Sequence, residues 1–190
     1  MTEAVRSFFE RGIFVKLQNI ETERLLLRAL RIEDAEHIYR TWASDPRVTK
    51  FMSYTNHESV EVTKGWLTEV EKHNADEDSQ ALDWGFELKN TGLLIGSGGA
   101  VYKPELEKWS IWYNVAFDYW NKGYATEAMR AVIEYLSGIG AKHFCAGYAI
   151  DNPASGRVME KLGMKFWKNG DCGCSDCKVF EAKYYMLDVD

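Results

Sequence analysis

Between residues 84 and 115 three runs rich in aromatic and branched side chains, WGFELK, LLIGSGGAVY and WSIWYNV, are separated only by NTG and KPELEK. Neither connection can hold a parallel crossover, which takes about a dozen residues or more, so the runs pair as an antiparallel meander. The third run leads at once into WNKGYATEAMRAVIEYL, where Ala125, Ala128, Met129, Val132, Ile133 and Leu136 recur at helical spacing. A long amphipathic helix therefore follows the meander and stops at Gly138 and Gly140.

The flanks extend this pattern. ERLLLRAL predicts a first strand with Leu25 and Leu27 on one face and Arg24, Leu26 and Arg28 on the other. RIEDAEHIYRTWASDP carries the helical stripe Ala35, Ile38, Tyr39 and Trp42 and stops before Pro46. SVEVTKGWLTEVEKH predicts a second helix with Val62, Trp66 and Val70 on one side. Downstream, HFCAGYAI reads as a buried strand, and Asn152, Pro153 and Gly163 read as N-cap, first position and stop of a short helix. KVFEAKYYMLDV alternates as a last strand. The order implies a mixed α/β (α+β) fold: one domain over 21–190, preceded by an extension over 1–20. Its sheet is mixed, mostly antiparallel, of about six or seven strands, with helices on both faces.

A formal net charge of -6 lacks the basic footprint of a nucleic-acid binder, so no nucleic-acid partner is expected. No stretch approaches the roughly 18 apolar residues of a membrane helix. The N-terminal MTEAVRSFFERGIFVK is interrupted by Glu3, Arg6, Glu10 and Arg11, unlike a secretory signal. No membrane partner and a cytoplasmic location are the expectation. Cys172, Cys174 and Cys177 in CGCSDC have a spacing that could supply thiolates to zinc or a cluster, with Cys145 or His143 as a remote fourth ligand. The same residues also read as a hairpin loop with Gly170, Asp171, Gly173, Ser175 and Asp176 as turn formers, and no metal site is assigned.

The start of the long helix carries the chemistry. A helix N-terminus exposes unpaired N–H groups and about half a positive charge, and an anion placed there is stabilised. Gly123 and Ala125 keep side-chain bulk away from those amides, Lys122 adds a positive charge, and Thr126 adds a hydroxyl. The alternative is a tight strand-to-helix turn with Ala125 packed on the sheet.

WNKGYATEA after a strand, then DNPASGRVMEKLGMKF, with ETERLLLR near the start, together resemble the GNAT superfamily of acetyl-CoA-dependent N-acetyltransferases. The likeness is to the branch that acetylates ribosomal-protein N-termini, and it covers about residues 20 to 188. The resemblance implies a sheet that splays between WSIWYNV and HFCAGYAI to admit the pantetheine arm. It places the pyrophosphate on Trp120, Asn121, Lys122, Gly123, Tyr124, Ala125 and Thr126, with Trp120 departing from the usual Arg or Gln. Asn152 and Ser155 would face the cofactor, as would Tyr113, Asn114 and Val115 at the end of the splaying strand.

Amine acetylation needs a neutral amine, a donor to the oxyanion and a proton for the departing thiolate. The family's usual acid, a Tyr seven residues after the Asn, is replaced by Met159, and the resemblance points to Ser155 at the sulfur instead. A backbone N–H near Asn114 or Val115 would serve the oxyanion. Glu87 and Asp151 are candidate bases, and both also read as a solvated charge or a cap. Trp112, Tyr113 and Tyr148 read as acceptor-pocket lining or as core. The expected activity is acetyl transfer from acetyl-CoA to a primary amine, on a protein N-terminus or a small molecule, by direct attack in a ternary complex. The expected protein is a monomer or homodimer. Met159 favours a second reading, a catalytically silent acyl-CoA-binding sensor or regulatory module.

Overall fold

The computed structural model describes residues 17–76, 79–173 and 179–189. Its strands are β1 (Ile20–Glu21), β2 (Leu25–Ala29), β3 (Ala81–Leu88), β4 (Leu94–Lys103), β5 (Lys108–Val115), β6 (His143–Ala149), β7 (Lys165–Gly173) and β8 (Val179–Asp188). Its helices are α1 (Ala35–Ile38), α2 (Pro46–Thr49), α3 (Val60–Ala75), α4 (Tyr124–Gly138) and α5 (Pro153–Lys161). The strands form one open sheet in the order β1-β2-β3-β4-β5-β6-β8-β7. Eight strands stand where six or seven are expected. The two-residue β1 lies beside β2, and the residues before the cysteine-rich stretch form β7, which pairs along β8.

The meander is present as predicted, with β3 on β4 from Ala81↔Val101 onward and β4 on β5 through Gly96↔Val115. The glycines of GSGG allow these strands to lie flat against their neighbours. A Cβ at Gly99 would meet the Leu82 carbonyl oxygen at 2.0 Å, and one at Gly98 would meet the Phe86 ring at 2.6 Å. All pairings are antiparallel except β5 with β6, where the parallel register covers only Trp109↔Phe144 and Ser110↔Cys145. Beyond Ser110 the two strands part.

Helices cover both faces. On one, α4 buries Ala128, Met129, Val132, Ile133 and Leu136 against Leu25, Leu27, Trp84, Phe86 and Ile111, as the helical stripe predicts. On the other, Ile38, Trp42, Val48, Leu67 and Val70 pack against Leu30 and Leu94. The predicted single helix after β2 is a 3-10 turn (Ile32–Asp34), α1 and a π turn (Tyr39–Ala43) in succession. The π turn closes with Ser44 N–H on the Tyr39 carbonyl, and its widened coil buries both Trp42 and Ala43. In α3 the buried positions are Thr63, Leu67 and Val70, while Val62 is exposed. Ser59 caps that helix through Val62 N–H, and Thr63 turns inward to His57.

Cys172 is not joined by either of the expected remote partners. Cys172 is on β7 opposite Phe180 of β8, while Cys145 on β6 is opposite Met186 of the same strand. At ~3.3 Å per residue these positions lie about 20 Å apart along β8, too far for one metal. His143 lies further still, bonded to Asp188 at 2.7 Å. Cys174 and Cys177 fall outside the described residues.

Arg28 gathers two carboxylates at the edge of the second core. It donates to Glu87 at 2.6 Å and to both oxygens of Asp34 at 2.8 and 2.9 Å. Burial pushes the Asp34 carboxyl up, but hydrogen bonds from Arg28 and from Arg31 N–H outweigh it and hold it below its ordinary 3.8. A carboxyl with a depressed folded value stabilises the protein above its unfolded value and loses that contribution as pH falls through the folded one. The urea midpoint is therefore expected to drop as pH is lowered below about 4. Arg28→Met is expected to cost about 2–4 kcal/mol at neutral pH, because two half-buried carboxylates lose their partner, and to flatten the acid limb. Denaturant titrations of both proteins across pH check this.

Candidate active site

Where β5 and β6 part, a cleft of about 560 Å³ opens through the sheet. Its walls are the end of β5 (Ile111 to Val115), the end of β6 (Gly147 to Ala149), the start of α4, the first turns of α5, and Arg47, Val48, Phe51, Met52 and Ser53 from the opposite face. The parting of the strands frees one edge of β5. Ala116 N–H bonds the Ile95 carbonyl of β4, and the Trp112 and Asn114 carbonyls point to β4 too, each within 3 Å of where a Cβ on Gly98 or Gly96 would stand. By strand alternation, the main-chain groups of Tyr113 and Val115 face the cleft. The Val115 carbonyl accepts from Trp120 Nε1 at 2.6 Å.

The loop into α4 is shaped by two left-handed residues, Asn121 at φ 59° and Gly123 at φ 83°. Gly123 is the N-cap and supplies no side-chain cap, which leaves the first-turn amides of α4 to another acceptor. Tyr119, Trp120, Asn121, Gly123, Tyr124, Ala125 and Thr126 line the cleft here. Lys122 does not. Its ammonium lies over the Tyr119 ring at 5.1 Å, and its carbonyl accepts from Arg24 at 3.0 Å.

On the facing wall, Asn152 and Ser155 both line the cleft. Asn152 is the N-cap of α5, as predicted, without a side-chain cap bond. Ser155 Oγ stands 2.8 Å from Tyr113 Oη, and Tyr113 also donates to the Ser155 carbonyl at 3.1 Å. Burial pushes the Tyr113 phenol up to about 12, with the Ser155 hydrogen bond pulling the other way. Tyr113 therefore stays protonated at physiological pH. Nothing in the sequence links Tyr113 to Ser155, since the pairing depends on α5 lying back over β5.

Asn114 points to the opposite face. Its side-chain nitrogen donates to Ser97 Oγ at 3.0 Å, and its buried Oδ1 has no hydrogen-bond partner among the described residues. Trp112 and Tyr148 are half-buried in the lining, and Met159 is buried in it. Glu87 is taken up by Arg28 and lies outside the lining, so as a base it has no access. Asp151, Arg157 and Lys161 sit exposed within the lining. Sequence reasoning missed the segment from Arg47 to Ser53, whose one signal is Asp45-Pro46. Asp45 caps α2 through Arg47 N–H and pairs with the Arg47 guanidinium, which stacks on Phe117 at 3.8 Å.

The sheet is open and splayed at one strand pair, and an uncapped helix start stands at the split. Residues 24–165 match the acetyltransferase (GNAT) domain, and the chain belongs to that family. It is 30% identical to the uncharacterized N-acetyltransferase YoaA of Bacillus subtilis (strain 168), over 80% of this chain and 84% of that one. A GNAT-family acetyltransferase structure from Bacillus anthracis superposes with a TM-score of 0.76 at 24% identity, covering 90% of this chain and 98% of that one. A Salmonella typhimurium acetyltransferase that modifies the N-terminal serine of ribosomal protein L7/L12 superposes with a TM-score of 0.78 at 14% identity, covering 91% of this chain and all of that one. The family uses acetyl-CoA as donor. Among the described residues no helix is long and apolar enough to cross a membrane.

The Tyr113 phenol, raised in the folded state, contributes stability that is complete below the unfolded value near 10 and is lost as pH rises through about 12. Ultraviolet titration of wild type and Tyr113→Phe is expected to show one fewer phenolate in the variant, with the difference appearing only above about pH 11. A difference already present at pH 10 would contradict the buried pair.

Proposed function

We propose that this cleft holds acetyl-CoA and that the chain is an N-acetyltransferase acting on a primary amine. The observation that carries the reading is the uncapped start of α4, opening onto one end of a cleft whose far wall holds the Tyr113–Ser155 pair. The fit to the donor is chemical. First-turn amides without a side-chain acceptor suit a diphosphate, and left-handed Asn121 and Gly123 keep bulk off the approach. Asn121, Gly123, Tyr124, Ala125 and Thr126 would hold the diphosphate, and Lys122 adds charge from outside the lining. Trp120 keeps the Val115 carbonyl occupied. Asn152 and Ser155, with the main chain of Tyr113 and Val115, would hold the thioester end.

Bound acetyl-CoA supplies the acetyl group as a thioester, open to attack by a neutral amine. The cleft-side N–H groups of Tyr113 and Val115 are fixed donors toward a carbonyl oxygen that gains negative charge. Asn114 is a weaker candidate for that role, because its main chain faces β4. Ser155 is the catalytic hydroxyl. Tyr113 has one proton: when it turns from the Ser155 carbonyl to Ser155 Oγ, the Ser155 proton is free to bond the departing sulfur. Asp151, at the rim, can receive the amine proton directly or through water.

The acceptor enters from the Arg47-to-Ser53 side, where Phe51, Met52 and Trp112 give an apolar wall and Ser53 and Asn114 give polar groups. A peptide N-terminus or a small apolar-bodied amine suits such a wall better than a polycation does. The activity of the Salmonella neighbour on an N-terminal serine supports the first. Buried Met159, where many relatives carry a Tyr, supports the alternative of a silent acyl-CoA sensor, in which coenzyme binds without turnover.

Thiol release from acetyl-CoA across a panel of peptide N-termini and small amines separates the two, since a sensor binds and releases nothing. Ser155→Ala is expected to lower kcat about 10- to 100-fold with little change in the acetyl-CoA KM. An unchanged kcat would remove Ser155 from the chemistry. Gly123→Asp is expected to abolish coenzyme binding in calorimetry, because a carboxylate then faces the diphosphate, and to lower the thermal midpoint by a few degrees, because a side chain at φ 83° is strained.

A further inference from the structure

The entrance to α4 carries a carboxylate of its own. Glu127 lies in the first turn, on the same helix start that the proposed function gives to a diphosphate. An unneutralised carboxylate there would compete for the amides' positive field and repel the ligand. It is met by a dedicated set of donors from the segment before β2. Glu127 Oε1 accepts from Thr22 Oγ1 at 2.6 Å and from Arg24 N–H at 2.8 Å, and Oε2 accepts from Arg24 Nε at 2.6 Å. Arg24 Nη2 is also 2.6 Å from Oε2. These bonds hold the Glu127 carboxyl below its ordinary 4.5 despite partial burial, so it is ionised at neutral pH.

The same guanidinium reaches the loop. Arg24 Nη1 donates to the Lys122 carbonyl at 3.0 Å, and Cζ lies 4.4 Å from the centre of the Tyr124 ring. Nη2 is the nearest atom to the place a Gly123 Cβ would occupy, at 3.5 Å. One side chain therefore stands between the Glu127 carboxylate and the loop, bonded to both.

Resting on the reading that this loop binds the diphosphate, we infer that Arg24 is a positioning residue for the coenzyme: it cancels the Glu127 charge, so that the α4 amides meet the diphosphate unopposed. The pair couples the start of the sheet to the coenzyme site without touching the reacting atoms.

Calorimetry with coenzyme A, which needs no acceptor, tests this through a four-protein cycle. Arg24→Met keeps the aliphatic stem over Tyr124 and removes the charge. It is expected to raise the Kd about fivefold in low salt, less in high salt, and to raise the acetyl-CoA KM while kcat at saturation holds. Glu127→Gln keeps the side chain's size and one acceptor oxygen, which can still take Thr22 Oγ1 and Arg24 N–H, and leaves Arg24 uncancelled; it is expected to bind at least as tightly as wild type. The double variant R24M/E127Q is expected to return to within about twofold of wild type, since no carboxylate is left to neutralise. A brace that is only structural predicts the reverse: E127Q weaker than wild type and the double no better than R24M, with no salt dependence. That result overturns the inference while wild-type binding stands. If R24M does not fold, E127Q alone decides by its sign. Failure of wild type to bind coenzyme A would overturn the loop reading and the inference together.

Discussion

The site depends on how little of β5 is paired to β6. Seven strand contacts could have made a continuous sheet, yet the one parallel contact stops at Ser110↔Cys145 while β4 follows β5 as far as Val115. Five residues of β5 thus keep a partner on one side and lose it on the other. Unpaired main-chain groups inside a protein are costly, and such an edge persists where something else satisfies them. Trp120 does so for the Val115 carbonyl, and on the proposed function the coenzyme does so for the remaining cleft-side groups of Tyr113 and Val115. A bound chain with its own amides would complete the sheet at the gap.

The coupling between the two faces follows from the alternation of β5. Tyr113 packs toward α4 and α5 and meets Ser155, while its neighbour Asn114 turns to Ser97 and Tyr54 on the opposite face. A single strand thus presents a phenol to one half of the cleft and an amide to the other. The rigid meander behind it, locked by the close approach of Gly98 and Gly99 to β3 and β5, keeps both in place.

Much of this was legible in the sequence, for identifiable reasons. The meander could be read because two short turns forbid any other pairing, and α4 because six apolar residues keep a strict helical period. The loop at Gly123 could be read because a left-handed N-cap requires a residue with little Cβ penalty. What was hidden involves contacts between distant segments. Arg24 and Glu127 are unremarkable charges until β2 is laid beside α4, and Tyr113 looks like core until α5 folds back over it. The α3 stripe was read one position early, because Val62 is apolar and Thr63 is polar, yet Thr63 is the residue that turns in to His57. The Arg47-to-Ser53 wall carries no periodic signal, being a short capped turn and a loop.

The cleft between β5 and β6 is lined by the start of α4 on one face of the sheet and by Phe51 and Met52 on the other. A pocket sunk into one surface obliges two visitors to queue, the second closing the exit of the first. On the proposed function, a slot lined from both faces has no such queue: donor and acceptor each arrive and leave by their own side.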